Sequence, residues 1–335
     1  MKKRVLLGMS GGVDSSVSAV LLQNEGYEVV GCTMILWKSE KNLAVEDAKK
    51  VCDKLGIKHY VFDFSEQFKC NVLNYFISEY QNANTPNPCI ECNKFIKFGC
   101  FFDKAKELDC DYFATGHYAR IEFSEKYNQY VLKKGMEEKK DQSYFLYGIP
   151  KEKLESIIFP LQDYTDKEEI RKIAKGNGLE VAEKKDSQEI CFIPDNNYKR
   201  FLEDNIKEKS KNGNIVLESG KVLGIHNGLI NYTVGQRKGI GVTYKEPLYV
   251  VKLDKNRNEV IVGIESCLYS DKLWASDVNW IIDVKGKESV ECLAKIRYRA
   301  KEAKAKIHFE TNGKVRVEFE QKQRAITRRS ICCVL

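Results

Sequence analysis

No stretch of this 335-residue chain holds the ~20 continuous apolar residues of a membrane-spanning helix. Its amino terminus, Met1-Lys2-Lys3-Arg4, leads to a short apolar stretch that Ser10-Gly11-Gly12 interrupts, which is too little for a secretory signal. Histidine is scarce: four residues, His59, His117, His226 and His308, are scattered singly. A second Cys-x-x-Cys to match Cys89-x-x-Cys92 is missing, so zinc is the weaker reading of that motif. Neither an internal repeat nor a low-complexity linker is visible. These absences predict a soluble, cytoplasmic protein with no membrane partner.

What is present allows more than one packed core. With 43% hydrophobic and 31% charged residues, two or three domains are expected. A formal charge of +7 is a mild excess that helps a polyanion approach. In a cytosolic protein most of the twelve cysteines are expected to be reduced, any special ones being catalytic, redox-active or metal-bound.

Along the chain, Val5-Leu6-Leu7-Gly8-Met9 reads as a buried strand that a glycine turn joins to a helix bearing Val17, Val20 and Leu21 on one face. Residues 29–36 and 59–64 read as further strands; Ala44, Ala48, Val51, Cys52 and Leu55 mark one helix and residues 68–80 another. Asp111-Tyr112-Phe113-Ala114-Thr115 continues the series, so the first part is predicted to be α/β with a parallel sheet. Gly116 then places His117 just past a strand's carboxyl end, the edge where such sheets gather ligands. Thr165 with Glu168 suggests a capping box for a helix carrying Ile170, Ile173 and Ala174. The α/β part is expected to end near residue 200, and beyond Asn212 short strands such as 248–251, 260–262 and 315–319 predict one or two small β-rich domains.

Gly8-Met9-Ser10-Gly11-Gly12-Val13-Asp14-Ser15-Ser16 sits between strand and helix, where small residues let backbone N–H groups approach an anion and the helix amino terminus adds partial positive charge. That is a phosphate site by physics. It lacks the Lys of a Walker loop and the Gly-x-Gly-x-x-Gly of a dinucleotide fold. The string resembles the pyrophosphatase loop of enzymes that split ATP between its α and β phosphates to adenylylate a substrate. Such a loop leaves the attacking nucleophile open, so an amidating synthetase stays an alternative.

The cysteines narrow the choice. Asn84-Thr85-Pro86-Asn87-Pro88-Cys89-Ile90-Glu91-Cys92 reads as a loop leading to a helix that starts near Lys94, which would put Cys92 at a helix amino terminus and lower its thiol pKa. Lys184-Lys185-Asp186-Ser187-Gln188-Glu189-Ile190-Cys191 sets a second cysteine near two lysines that would favour its thiolate. Cys32, Cys52, Cys70, Cys100 and Cys110 fit apolar patterns and read as small buried hydrophobes. Lys295, Arg297, Arg299 and Lys301 alternate with Ala294, Ile296, Tyr298 and Ala300, predicting a strand with one basic face, and Arg237 and Lys238 add basic groups at a turn.

Taken with residues 87–93, 114–120, 140–146, 186–194 and 232–239, the loop resembles the tRNA-specific 2-thiouridylases, with the blocks in family order over nearly the whole chain. The resemblance implies an adenine-nucleotide α-hydrolase-like parallel-sheet catalytic domain of the ATP-pyrophosphatase type at 1–204, a central β-containing tRNA-binding domain at 205–265 and a β-barrel-like domain at 266–335. It implies ATP-dependent 2-thiolation of a wobble uridine, with a persulfide on Cys191 and Cys92 as the second catalytic cysteine, the two able to form a transient disulfide. ATP contacts are implied at Gly8, Met9, Ser10, Gly11, Gly12, Val13, Asp14, Ser15, Met34 and Gly116, with magnesium alongside. Contacts to tRNA are implied at Asn87, Pro88, Cys89, His117, Lys140, Asp141, Gln142, Arg297 and Tyr298. A persulfide donor, such as a cysteine desulfurase or a relay protein, is the implied partner.

Two departures from the family pattern stand out. Many members carry an aspartate at the position of Cys89, so an iron–sulfur cluster on Cys89, Cys92 and Cys191 becomes an alternative sulfur carrier. The end, Arg324-Ala325-Ile326-Thr327-Arg328-Arg329-Ser330-Ile331, lacks the Pro-Gly-Gln with which members usually continue. A tRNA-contacting glutamine and part of the last β domain are therefore expected to be missing.

Overall fold

A computed structural model describes residues 2–37, 43–184, 190–206, 211–310, 313–327 and 332–334. The expected Asp186, Ser187, Gln188 and Glu189 of the Cys191 block, with Lys185, lie outside the described residues, as do Arg328, Arg329, Ser330 and Ile331 of the tail. The chain divides into two compact units. The first comprises Met1–Val72, Cys89–Gln188 and Asn279–Asp283; the second comprises Leu73–Pro88, Glu189–Val278 and Val284–Leu335.

The first unit is built on a parallel sheet of five strands, in the order β3 (Lys58–Asp63), β2 (Glu28–Ile35), β1 (Arg4–Gly8), β4 (Tyr112–Ala114) and β7 (Ile157–Ile158). A parallel strand covered on both faces needs a continuous apolar run. Val5, Leu6 and Leu7 of β1 are accordingly fully buried. The chain builds outward from β1 to β2 and β3, then returns to the other side of β1 for β4. The strand order therefore reverses between β1 and β4, and in such sheets ligands bind at the carboxyl ends of the strands at this point. Helices α1 (Val13–Asn24) and α2 (Leu43–Leu55) share an apolar core with β1, to which Val17, Leu22, Ala48, Cys52 and Ile170 contribute. A Cβ on Gly31 would meet Cys52 Sγ at 2.6 Å, so glycine there sets how closely α2 lies on β2.

Burial pushes the thiols of Cys32 and Cys52 up to about 12, as expected of structural cysteines. Cys70 departs from that expectation, being exposed, and Cys100 and Cys110 are half-buried. The predicted helix at 68–80 is three helical segments, Ser65–Phe68, Lys69–Leu73 with π geometry, and Asn74–Gln81. The helix expected after Thr165 spans Lys167–Gly176, but its cap is Asp166, whose side chain accepts from the Glu168 N–H. A two-stranded hairpin, β5 (Ala119–Ser124) with β6 (Gln129–Lys134), completes the strands of this unit.

The second unit carries two further sheets. One has the order β10 (Tyr249–Asp254), β11 (Glu259–Gly263), β8 (Gly213–Leu217), β9 (Val222–His226) around Ile215, Val250, Val260 and Val262, all fully buried. The other is antiparallel, in the order β12 (Tyr269–Ala275), β15 (Val315–Arg324), β14 (Ala303–Phe309), β13 (Ser289–Lys295), β16 (Cys333–Val334). The alternating basic strand expected across 294–301 is corrected: β13 ends at Lys295, and Ala294, Lys295 and Ile296 are buried in succession. Lys295 lays its stem inward and sets its ammonium 5.8 Å from the Tyr298 ring, behaviour open to a long amphipathic side chain.

Candidate active site

At the carboxyl end of β1 the chain turns through Met9 to Gly12 and enters α1, and Met9 N–H still donates to Cys32 carbonyl at 2.7 Å. Gly11 stands at φ +67, and a Cβ there would lie 2.6 Å from the Ala44 carbonyl oxygen. Only glycine meets both demands cheaply. Inside the turn, Ser15 hydroxyl accepts from the Ser10 N–H at 3.1 Å and donates to Gly12 carbonyl at 3.1 Å, so hydroxyls hold the loop in shape. Ser10 itself is exposed, and Gly12 at the cap receives no side-chain hydrogen bond. A helix start left in that state offers its N–H groups to an anion.

The end of β4 supplies the opposite wall. A Cβ on Gly116 would come within 3.1 Å of Ser15 N and 3.2 Å of Asp14 C, so the glycine lets this backbone approach the loop. Tyr118 hydroxyl donates to Asp14 Oδ1 at 2.7 Å, and Lys167 ammonium reaches both Asp14 oxygens at 2.7 Å. Lys184 ammonium donates to Gly11 carbonyl at 2.9 Å and to Asp47 Oδ2 at 2.8 Å. That engages one of the two lysines expected to favour the Cys191 thiolate. Met34, half-buried, lies at the carboxyl end of β2, the same edge of the sheet.

Residues 140–142 join this wall through Tyr118. Gln142 Oε1 accepts from the Tyr118 N–H at 2.9 Å, and Tyr118 carbonyl accepts from Gln142 N–H at 2.8 Å. Lys140 donates to Thr165 carbonyl at 2.8 Å and sits 5.6 Å from the Tyr118 ring. Asp141 is buried, its carboxylate accepting from Gly135 N–H, Ser143 N–H and the Ser143 hydroxyl. It shapes the turn that presents its two neighbours. His117 is buried between the rings of Phe98 and Phe159, with Nδ1 2.7 Å from Thr115 Oγ1 and Nε2 3.4 Å from Lys97 ammonium. Burial first, and the Lys97 charge second, hold its pKa well below the ordinary imidazole value.

The Cys89–Cys92 segment corrects an expectation. The helix begins at Pro88, not near Lys94: Pro88–Glu91 runs directly into Cys92–Phe101, which has π geometry with a break at Gly99. Proline at the first helical position was the missed signal, because its fixed φ suits a helix start and its missing N–H costs nothing there. Cys89 therefore occupies the first turn and is exposed, whereas Cys92 lies one turn further in and is buried. Crowding by neighbouring atoms raises the Cys89 thiol pKa, with Lys97 opposing that shift. Asn93, also buried, donates to Phe145 carbonyl at 3.0 Å, while its side-chain oxygen has no hydrogen-bond partner among the described residues.

In the second unit, Cys191 is exposed in a turn closed by the Ile193 N–H to Ile190 carbonyl bond, at 2.9 Å. Its neighbour Phe192 is buried edge-on against Phe76, ring centroids 5.5 Å apart. Asn87 is half-buried and Pro88 buried at the end of another segment of this unit. Arg297 and Tyr298 are half-buried in a turn, where the Arg297 guanidinium donates to Ala325 carbonyl at 2.6 Å. Among the described residues, no group of three or more His, Cys, Asp or Glu side chains is placed to hold a metal ion. No helix among the described residues is long and apolar enough to cross a membrane.

Three family models match consecutive parts of the chain. One described as a tRNA methyl transferase HUP domain covers residues 3–195, one described as a tRNA methyl transferase PRC-barrel domain covers 199–264, and one described as an aminomethyltransferase beta-barrel domain covers 270–334. Over 340 residues the chain is 48% identical to a tRNA-specific 2-thiouridylase, MnmA 1, of Clostridium botulinum, a match spanning 98% of this chain and 94% of that protein. The chain belongs to the tRNA-specific 2-thiouridylase family. A family member from Clostridium tetani is 49% identical with the same two coverages, and one from Acetivibrio thermocellus is 48% identical over 97% of this chain and 94% of its own length. Among solved structures, a 4-thiouridine synthetase–RNA complex with bound ATP matches at a TM-score of 0.41 and 18% identity, over 60% of this chain and 50% of that one. The expected fold, an adenine-nucleotide α-hydrolase-like parallel-sheet domain followed by a small β-rich domain and a β-barrel-like domain, agrees with these matches to a HUP, a PRC-barrel and a beta-barrel domain.

Set against the residues that the family resemblance singled out, the geometry adds Tyr118, Lys167, Lys184 and Lys97. Tyr118 falls inside the 114–120 block, so closer reading of that block was the available signal. Lys167 stands 153 positions from Asp14, and no local pattern in one sequence joins them.

Proposed function

We propose that this protein binds ATP on the loop at residues 10–15 and uses it to replace oxygen by sulfur at position 2 of a tRNA wobble uridine. One observation carries the reading: a glycine-built anion loop, with Gly11 at φ +67, at the β1–β4 switch of a chain 48% identical to a tRNA-specific 2-thiouridylase over nearly its full length. The backbone N–H groups at the start of α1 hold phosphate oxygens, and the helix dipole adds to their pull. Asp14 is the loop's carboxylate and suits a hard divalent cation; magnesium there would neutralise the departing pyrophosphate.

The uridine 2-oxygen attacks the α-phosphorus, a P–O bond breaks, and pyrophosphate leaves. Carbon 2 then carries AMP as leaving group in place of a poor oxide. The terminal sulfur of a persulfide on Cys191 attacks that carbon, and AMP departs with the original oxygen. Cys92 thiolate attacks Cys191 Sγ, so the sulfur–sulfur bond breaks with its terminal sulfur left on the base. The resulting Cys92–Cys191 disulfide is reset by two electrons from an external thiol reductant, and a persulfide donor such as a cysteine desulfurase or relay protein reloads Cys191.

In this reading residues 1–204 are the catalytic domain, 205–265 a tRNA-binding domain and 266–335 the last β domain, all in the cytoplasm, where tRNA is found. Asn87, Pro88, Cys89, His117, Lys140, Gln142, Arg297 and Tyr298 meet the RNA, with Asp141 setting the turn beneath its neighbours. The test is nucleoside mass spectrometry of tRNA incubated with protein, magnesium ATP and a persulfide donor. The expected products are 2-thiouridine and AMP in equal amounts. Thiolation that persists without ATP would sink the activation step. A methylated nucleoside, formed in a parallel arm with S-adenosylmethionine, would replace the reading with the transfer named in the family-model descriptions.

A further inference from the structure

We infer that Lys167 supplies the phosphate-binding cation that the loop itself lacks, parked on Asp14 until a magnesium polyphosphate arrives. The inference rests on the ATP reading above and deepens it. In a Walker loop a lysine within the loop reaches the phosphates. Here residues 8–16 contain no lysine or arginine at all. The ammonium that reaches the loop's carboxylate comes from far along the chain: Lys167 Nζ lies 2.7 Å from each Asp14 oxygen, its side chain only 18% exposed. Tyr118 completes the arrangement, its hydroxyl on Asp14 and its ring 6.0 Å from the Lys167 ammonium.

Two features separate this pair from an ordinary structural ion pair. Lys167 is the first residue of its own helix, where a cation opposes the helix dipole and an acid would be favoured. Asp166, Glu168 and Glu169 flank it in the sequence, and its ammonium reaches across to Asp14. Asp14 lies in the first turn of α1, so that helix's amino terminus and the Lys167 ammonium meet at a single carboxylate. Such a concentration of positive potential suits an anion of higher charge than one carboxylate. Lys184, by contrast, is bonded to Gly11 carbonyl and to Asp47, which fits a strut that holds the loop's shape.

On binding, Asp14 exchanges the ammonium for magnesium and Lys167 exchanges the carboxylate for phosphate oxygens. No covalent bond changes, and each charge finds a new partner of opposite sign.

Calorimetry with magnesium pyrophosphate and with AMP, which lacks the leaving pyrophosphate, tests this on the full chain. Lys167→Met is expected to weaken pyrophosphate binding by more than about tenfold, the scale of a lost charged hydrogen bond, while AMP affinity stays within about twofold. Lys167→Arg should recover most of the loss. In magnesium-free buffer, Asp14→Asn should bind pyrophosphate severalfold more tightly than wild type, because its carboxylate no longer competes for the ammonium. Equal weakening of both ligands in Lys167→Met, or weaker magnesium-free binding in Asp14→Asn, would reduce the pair to scaffolding and overturn the inference. Wild type that binds neither ligand would bring down the ATP reading as well. Normal wild-type binding without a selective loss in Lys167→Met would remove Lys167 alone.

Discussion

Cys92 and Cys191, on which the proposed chemistry turns, stand in opposite surroundings. Cys92 is buried one turn inside a helix, between Glu91 and the buried Asn93. Cys191 is exposed in a turn, next to Phe192, whose ring packs edge-on against Phe76. The difference teaches how one protein can divide sulfur chemistry between two thiols. A carrier has to meet a donor protein, so exposure suits it; a thiol whose task is to break one internal sulfur–sulfur bond is better kept from that donor. Buried cysteines are also slow with outside reagents, which protects the second thiol from wasteful exchange.

The strongest way to break this comparison is Cys191→Ser. A hydroxyl cannot carry a transferable sulfur, so thiolation is expected to fall by at least about 10³-fold while AMP formation from ATP continues. Loss of AMP formation together with thiolation would move Cys191 from carrier to scaffold. The next largest effect belongs to the loop that both cysteines depend on. Gly11→Ala puts a side chain at φ +67 and a Cβ 2.6 Å from Ala44 carbonyl oxygen. Backbone strain and overpacking together should cost about 3 kcal/mol, read as a lower denaturant midpoint, with ATP binding lost. A variant as stable as wild type would mean that the turn relaxes freely.

How much of this could be read in advance depends on how local each cause is. The run from Val5 through Ser16 was legible because a buried strand, a glycine turn and a helix start are written in adjacent residues. His117 was placed by the strand that ends three positions before it. The start of the Cys92 helix was misjudged because proline was read as a loop residue, although Pro88 opens the helix. The alternating basic strand failed at Lys295 because a period of two assumes that lysine faces water, and here its stem is buried. The bond between Lys167 and Asp14 has no local cause at all; it exists only once the sheet has brought the two helix starts together.

Alkylation sharpens the contrast between the two thiols directly. Under native conditions and a limiting iodoacetamide pulse, peptide mass spectrometry should find Cys191 modified on the order of 10² times faster than Cys92, since a buried thiol reacts only through local opening. Equal rates would mean that burial does not shield Cys92, and the division of labour between the cysteines would lose its physical basis.

The smallest predicted effect tests the buried side of the comparison through His117. Its folded-state pKa is depressed by burial and by Lys97, so the folded protein leaves the ring neutral at a pH where the unfolded chain protonates it near 6.5. The unfolded state then binds more protons, and stability must fall as pH drops below about 6.5. With one proton involved, the slope of that loss can reach about 1.4 kcal/mol per pH unit. His59, whose pKa burial also lowers, contributes in the same direction and remains in both proteins compared. Urea midpoints of wild type and His117→Gln, measured from pH 7.5 to pH 5, should therefore diverge in slope on the acid side, with the variant flatter. Parallel slopes would show that the pocket between Phe98 and Phe159 opens to let His117 take up its proton while folded. The packing of His117 against Phe98 of the Cys92 helix would then be mobile and not fixed.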